Sequence, residues 1–317
     1  MSVPAPSLST LFTQWQPQPL ADLLALAALL WWFRAVAVLR SAGERWPARR
    51  TVGFLVGIAA FVWTTNGFPQ VYARSVFADW LSQSLALFLV IPALIMGAQP
   101  LALAERAYGP RAGLPRLVRS RAGRVLASPF LGPAVLPVLC AVLFFGVLPG
   151  WVAATPVLQW VVGLALFLLG SLLVLPLVAG DSEGAGSLAI GLALGVGLFE
   201  LLIDAIPGIV MRLQTKPAST FFDHRLVHVW SVSPLVDQQG AGAILWCAAE
   251  LLDLPFLVLI FRRWVRADAQ DAAQIDTVLE AERISRGALD PDQSSGASDQ
   301  PWWLHDPQLR ERMQRGR

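Results

Sequence analysis

The sequence predicts an all-α polytopic membrane protein, a bundle of seven transmembrane helices, on three observations. Of its 317 residues 55% are hydrophobic and only 15% charged, with a mean hydropathy of +0.56, so the chain is too poor in polar groups to cover itself in water. Its apolar residues fall in runs long enough to cross a hydrocarbon core, which takes about 20 residues of helix. Its basic residues gather in alternate gaps between those runs. Helices are required rather than barrel strands, because the runs lack strict alternation and each spanning segment must satisfy its own backbone polar groups.

Taken in order, the spans are expected near 18–39, 52–72, 77–98, 126–149, 156–179, 185–211 and 240–262. Pro92, Pro137 and Pro207 fall inside them and predict kinks rather than breaks. Positive charge is retained on the cytoplasmic side. Arg40, Arg45, Arg49 and Arg50 follow the first span; Arg106, Arg111, Arg116, Arg119, Arg121 and Arg124 follow the third; Arg262, Arg263 and Arg266 follow the seventh. The opposite loops hold only Arg74, Arg212, Lys216 and Arg225. The N-terminus is therefore expected outside and the C-terminus in the cytoplasm. The first residues carry neither a basic stretch nor a small-residue cleavage site, so no signal peptide is expected.

Residues 1–266 are expected to form the transmembrane domain and 267–317 a cytoplasmic tail. The tail opens with a helical pattern, DAAQIDTVLEAERISR, and loosens into the Gly-, Ser- and Asp-rich GALDPDQSSGASDQP. Trp302 and Trp303 then raise the alternative of docking on the membrane surface or a partner, against a simple solvated tail.

Polar groups inside the apolar runs carry the functional expectations. Glu200 and Asp204 stand four residues apart in GLFELLIDAIPG and share one helix face; Glu250 and Asp253 lie in the last span. A carboxyl at membrane depth costs about 2.5–3.5 kcal/mol on insertion scales. These four, with Gln238 and Gln239, are read as a polar interior, although a protonated acid bonded to a neighbouring helix explains each one singly. His224 and His228 have metal-pair spacing in the loop before the last span. Asp237 or Asp223 is the nearest further ligand, with Asp204 toward the same side; a pair of interfacial histidines is the plainer alternative. Asp237 also opens a helix, where its charge suits the unsatisfied N–H groups, but that role leaves Gln238 and Gln239 unexplained.

Other classes are excluded. A net charge of +2 gives no footprint for nucleic acid. Cys140 and Cys247 make neither a disulfide framework nor a metal motif. No phosphate loop or nucleophile elbow is present, so no enzyme is expected.

The stretch DQQGAGAILW, followed by Glu250 and basic residues, resembles the C-terminal signature of the CtaG-like cytochrome c oxidase assembly family. WQPQPLADLLALAALLWW, RWPARR, VYARSVFADWLSQSLALFLVIPALIMGAQPLALAER and the final DQPWWLHDP resemble further family stretches in the same order. The resemblance implies a bacterial plasma-membrane protein that assists maturation of a haem-copper oxidase, with an oxidase subunit and the lipid bilayer as partners and copper as the cargo it delivers. It also implies a His-x-x-x-His pair in the third span and another in the fifth. The matching positions here are Trp80 and Ser84, with Gln83 kept between them, and Gln159 and Gly163. Met96 and Met211, the thioethers within spans, lie toward opposite membrane faces. Three functions remain open: copper delivery through His224 and His228, a metal-free scaffold binding a respiratory complex, and a small-solute or proton pathway through the buried acids.

Overall fold

The computed structural model describes residues 4–109, 132–179, 187–224 and 233–289, with some side chains inside the helices outside that description, among them Glu200, His224 and Asp253. The named elements are helices: α1 (Thr10–Thr13), α2 (Pro19–Ser41), α3 (Ala48–Asn66), α4 (Phe68–Tyr72), α5 (Phe77–Leu85), α6 (Ile91–Gly97), α7 (Pro100–Tyr108), α8 (Gly132–Phe144), α9 (Leu148–Ala154), α10 (Pro156–Ala179), α11 (Ser187–Leu213), α12 (Phe221–His224) and α13 (Pro234–Leu289). The described residues contain no strand, only an isolated bridge between Gly146 and Ser219.

Five helical stretches are long and apolar enough to cross a membrane: Pro19–Ser41, Ala48–Tyr72, Phe77–Gly97, Pro156–Val174 and Leu194–Leu213. They coincide with five of the seven expected spans. The expected span at 126–149 lies partly outside the described residues, and that at 240–262 runs within α13, where several side chains do too. Leu23, Leu26 and Leu30 on α2, Val161 on α10 and Leu198 and Leu202 on α11 are exposed. Side chains of this kind need hydrocarbon to cover them.

The chain divides into two compact units, Met1–Glu183 with Ala193–Val258, and Gly184–Leu192 with Leu259–Arg317. In the smaller unit Gly191 faces the Trp264 indole, and Trp264 packs on Phe261 at 6.0 Å between ring centroids. In the larger unit α3 packs on α6 at Gly57, where a Cβ would stand 2.7 Å from Ile95 Cγ1. Backbones approach just as closely at Gly208 of α11 and Gly242 of α13, whose Cβ would meet the Gly208 carbonyl at 2.7 Å. Small residues let helices in a bilayer gain packing energy where no hydrophobic drive between them exists.

Pro92 has a local consequence in the third span. Its missing N–H deprives the Phe88 carbonyl of the usual partner four residues on. The chain responds with a π-helical turn, Ala86–Val90, in which the Ile91 N–H reaches back to the Ala86 carbonyl. The Phe88 carbonyl is then turned against Gly170 of α10, so tightly that a Cβ there would run into it. The expected kink at Pro92 is thus a widened turn that seats a neighbouring helix.

The two ends of this bundle differ. At one, Trp46 holds the basic residues: Arg50 and Arg106 stand over its ring at 4.9 and 5.9 Å, and Trp32 stacks on Phe54 at 4.0 Å beneath it. At the other, amides link helix ends. Asn66 Nδ2 donates to Asp22 Oδ1 at 3.0 Å, and the Trp160 indole donates to Gln18 Oε1 at 3.2 Å.

Candidate functional site

The start of α5 has an incomplete cap. Its N-cap position is held by Val76, which offers no side-chain acceptor, so the first N–H groups of the helix lack a local partner. Asp237, 160 positions along the chain, supplies one. Its Oδ2 accepts the Phe77 N–H at 2.8 Å and its Oδ1 accepts the Ala78 N–H at 3.0 Å. Asp237 is only 5% exposed and itself lies in the first turn of α13. One carboxylate therefore serves two helix N-termini, satisfying donors on α5 while its charge suits both dipoles. Its two described side-chain hydrogen bonds go to α5, while its place in the first turn of α13 keeps the charge where that helix's dipole favours it.

The two glutamines continue the same joint. Gln238, 1% exposed, accepts the Ala218 N–H at 2.7 Å through Oε1 and donates through Nε2 to Gln214 Oε1 at 3.0 Å. Gln239 donates to the Gln214 carbonyl at 3.2 Å. An ionised acid accepts only, whereas an amide accepts and donates, which suits a loop presenting both N–H and C=O groups. Ala218 in turn accepts the Gly146 N–H, at 3.3 Å, and Thr220 donates from both its backbone and its hydroxyl to the Gly146 carbonyl, at 3.1 Å each. Gly146 takes φ +74°, which only glycine adopts cheaply. Asp237, Gln238 and Gln239 thus tie α13 to α5, to the segment after α11, and through it to the α8–α9 connection.

Behind this latch lies an aromatic cluster. Phe77 packs on Phe221 at 5.2 Å and on Phe222 at 5.5 Å, and Trp80 stacks on Phe221 at 5.7 Å with the rings nearly parallel. His224 ends the short helix that begins with Phe221. Its side chain and all of His228 lie outside the described residues. Among the described residues no three His, Cys, Asp or Glu side chains gather as a metal site would require.

The remaining expected residues are dispersed. Asp204 is 3% exposed and faces inward. Glu250 is half-buried and its Oε1 accepts the Trp246 indole N–H of its own helix at 2.9 Å. Glu200 and Asp253 lie on α11 and α13, their side chains outside the description. Sequence reasoning missed Gln214, which no spacing connects to a partner 24 residues away, and Gln70, whose Oε1 accepts from Gln83 Nε2 at 2.7 Å. Gln83 also donates to the Thr64 carbonyl at 3.0 Å.

Beside the third span a cavity of 310 Å³ opens between α2, α3, α5 and α10. It is lined mainly by apolar side chains.

The family model described as cytochrome c oxidase caa3 assembly factor (Caa3_CtaG) matches residues 10–267. The chain belongs to the Caa3_CtaG family. An uncharacterized protein of Mycobacterium leprae is 27% identical over 288 residues, and uncharacterized proteins of Mycobacterium bovis and Mycobacterium tuberculosis are 24% identical over the same length. Each alignment takes 86% of this chain but 42% of the relative, so the chain spans about two fifths of the curated proteins it matches. No solved structure matches.

The four positions at which resemblance to the Caa3_CtaG family implies histidine, Trp80, Ser84, Gln159 and Gly163, all line that one cavity. They do not fit copper. Cu(I) takes thiolate, thioether or imidazole, and these positions offer an indole, a hydroxyl already donated to the Trp80 carbonyl at 2.9 Å, an amide, and no side chain. Cargo copper has no ligand set among the described residues lining it.

Proposed function

We propose that this protein is a membrane-embedded assembly factor for a haem-copper cytochrome c oxidase, working from a seven-helix bundle in a bacterial plasma membrane with its N-terminus outside and its C-terminus in the cytoplasm. The observation that carries the reading is the family match across residues 10–267, which takes in every described span. The joint around Asp237, Gln238 and Gln239 supports a holding role: it sets three inter-helix segments in one rigid surface, as a scaffold presenting a face to an oxidase subunit requires.

Copper delivery is the second reading, favoured by one observation. Phe221 and Phe222, which open the short helix that His224 ends, pack on Phe77, whose N–H Asp237 accepts. On this reading His224 and His228 bind the copper cargo and Asp237 orients them. The test is complementation of a host lacking the protein, with oxidase activity and copper content both measured. A scaffold predicts that Asp237→Ala abolishes oxidase maturation while the double variant His224→Ala, His228→Ala retains it. Copper delivery predicts that the double variant loses both copper and mature oxidase. Full oxidase activity in the host without any copy of the protein would sink both.

A further inference from the structure

The basic end of the larger unit brings positive charge and exposed apolar surface together. Ser41 closes one candidate span, Ala48 opens the next and Gly97 closes the third, so residues 42–47 and the start of α7 lie at one surface of the membrane. Residues 40–50 and 97–108 hold five arginines, Arg40, Arg45, Arg49, Arg50 and Arg106, against two acids, Glu44 and Glu105. The sequence from 110 to 131 adds five more arginines and no acid. Two of these guanidiniums are held in place. Arg50 of α3 and Arg106 of α7 stand over the one Trp46 ring at 4.9 and 5.9 Å, and Trp46 is itself buried against Trp32. Stacking engages the face of a guanidinium and orients it, whereas a phosphate is met by its N–H edge, two bonds at a time. The start of α3 adds to the charge: Pro47 offers no side-chain cap, and the first turn holds Arg49 and Arg50 and no acid. A helix start favours negative charge, so an anion here answers the helix and the arginines together. Beyond its basic end the same helix turns apolar. Val52 and Val56 follow Arg49 at three and seven positions, share its face, and are 58% and 50% exposed.

We propose that an anionic phospholipid binds at this end, its phosphate held by Arg50 and Arg106 on the Trp46 platform with Arg49 beside them, and its acyl chains lying over Val52 and Val56. A phosphate suits the site because the charges are guanidiniums, whose fork matches its oxygens. A lipid suits it better than free phosphate because the basic end and the exposed apolar face run on along one helix, as head and chains do in a bilayer. Net negative charge is required, since in phosphatidylcholine the choline cation cancels the phosphate. The proposal goes beyond oxidase assembly and stands whether or not that reading holds.

Full-length protein in detergent is titrated with phosphatidylglycerol and, separately, with phosphatidylcholine, and bound lipid is counted by native mass spectrometry. A third arm adds inorganic phosphate in large excess to the phosphatidylglycerol complex. Two double variants accompany the titrations. Arg50→Gln with Arg106→Gln removes the stacked pair; Arg106 is exposed and Arg50 half-buried, so the core is left intact, and thermal unfolding checks it. Arg262→Gln with Arg263→Gln removes the same charge elsewhere. The expected result is one phosphatidylglycerol retained where phosphatidylcholine is not. Its affinity should fall at least about tenfold in the Arg50, Arg106 variant and less than about threefold in the other, and inorganic phosphate should not displace it. Equal retention of the two lipids by the unaltered protein overturns the proposal whatever the variants do. So does an affinity that the Arg50, Arg106 variant leaves unchanged, an equal loss in both variants, or displacement by inorganic phosphate, which would make the free anion the ligand.

Discussion

Replacing Asp237 by alanine tests the central joint of this structure. The carboxylate accepts two N–H groups at 2.8 and 3.0 Å in a place only 5% exposed. Hydrogen bonds to a charged group contribute about 1.5–3 kcal/mol each, and two buried donors are orphaned by the change. Partial relaxation and water entry reduce the sum, so a loss of roughly 3–5 kcal/mol is expected. That is a large share of the roughly 5–15 kcal/mol that holds a typical domain together. Asp237→Asn keeps one neutral acceptor and should lose about half as much. The assay is thermal unfolding of the full chain in detergent, with hydrogen exchange at the Phe77 and Ala78 amides as the local readout. Protection of those two amides should fall in the order Asp, Asn, Ala. Unchanged melting together with unchanged exchange in Asp237→Ala would refute the reasoning, and equality of Asn with Asp would show that the charge contributes nothing.

Two glycines on one helix give opposite expectations. Gly163→Ala should be neutral or stabilising by up to about 1 kcal/mol from helix propensity, because its Cβ meets only Leu87 at 3.4 Å, whereas Gly170→Ala must displace the Phe88 carbonyl and should lower the unfolding temperature clearly. Gln238→Leu should deprive the Ala218 N–H and the Gln214 Oε1 of their Gln238 partners, costing about 2–4 kcal/mol and raising exchange at Ala218. Gly242→Val should separate α13 from α11, seen as lost cross-linking between cysteines placed at the two helices, since a Cβ at Gly242 already stands 2.7 Å from the Gly208 carbonyl. Alkaline phosphatase fused after Arg266 should be inactive and, fused after Lys216, active; the reverse pattern inverts the proposed topology.

What the sequence discloses follows from how local each signal is. Apolar runs carry their own evidence, so helices at Pro19–Ser41, Ala48–Tyr72 and Phe77–Gly97 appear within a few residues of expectation. The break at Gly67 and the π-turn at Ala86–Val90 are only half legible: Pro69 and Pro92 announce a disturbance, but its form depends on what the freed carbonyl meets. For Phe88 that is Gly170, 82 positions away. The polar joint is less legible still. Asp237 at the start of an apolar helix reads as a cap for that helix, and nothing near Val76 states that its amides await an acid from another span.

The question of why an acid and two amides stand together at the head of α13 has a physical answer in the groups they meet. Two N–H groups at a helix start call for an acceptor with charge, and Asp237 is that acceptor. The segment from Gln214 to Thr220 presents donors and acceptors, and amides answer both. The same logic separates this joint from the cavity lined by Trp80 and Gln159. At the joint the described amides are satisfied by protein, so its residues hold shape. In the cavity Gln159 Nε2 is not, and the positions around it have exchanged the expected imidazoles for indole, hydroxyl, amide and open space. Such a wall offers a soft metal no ligand among its described residues.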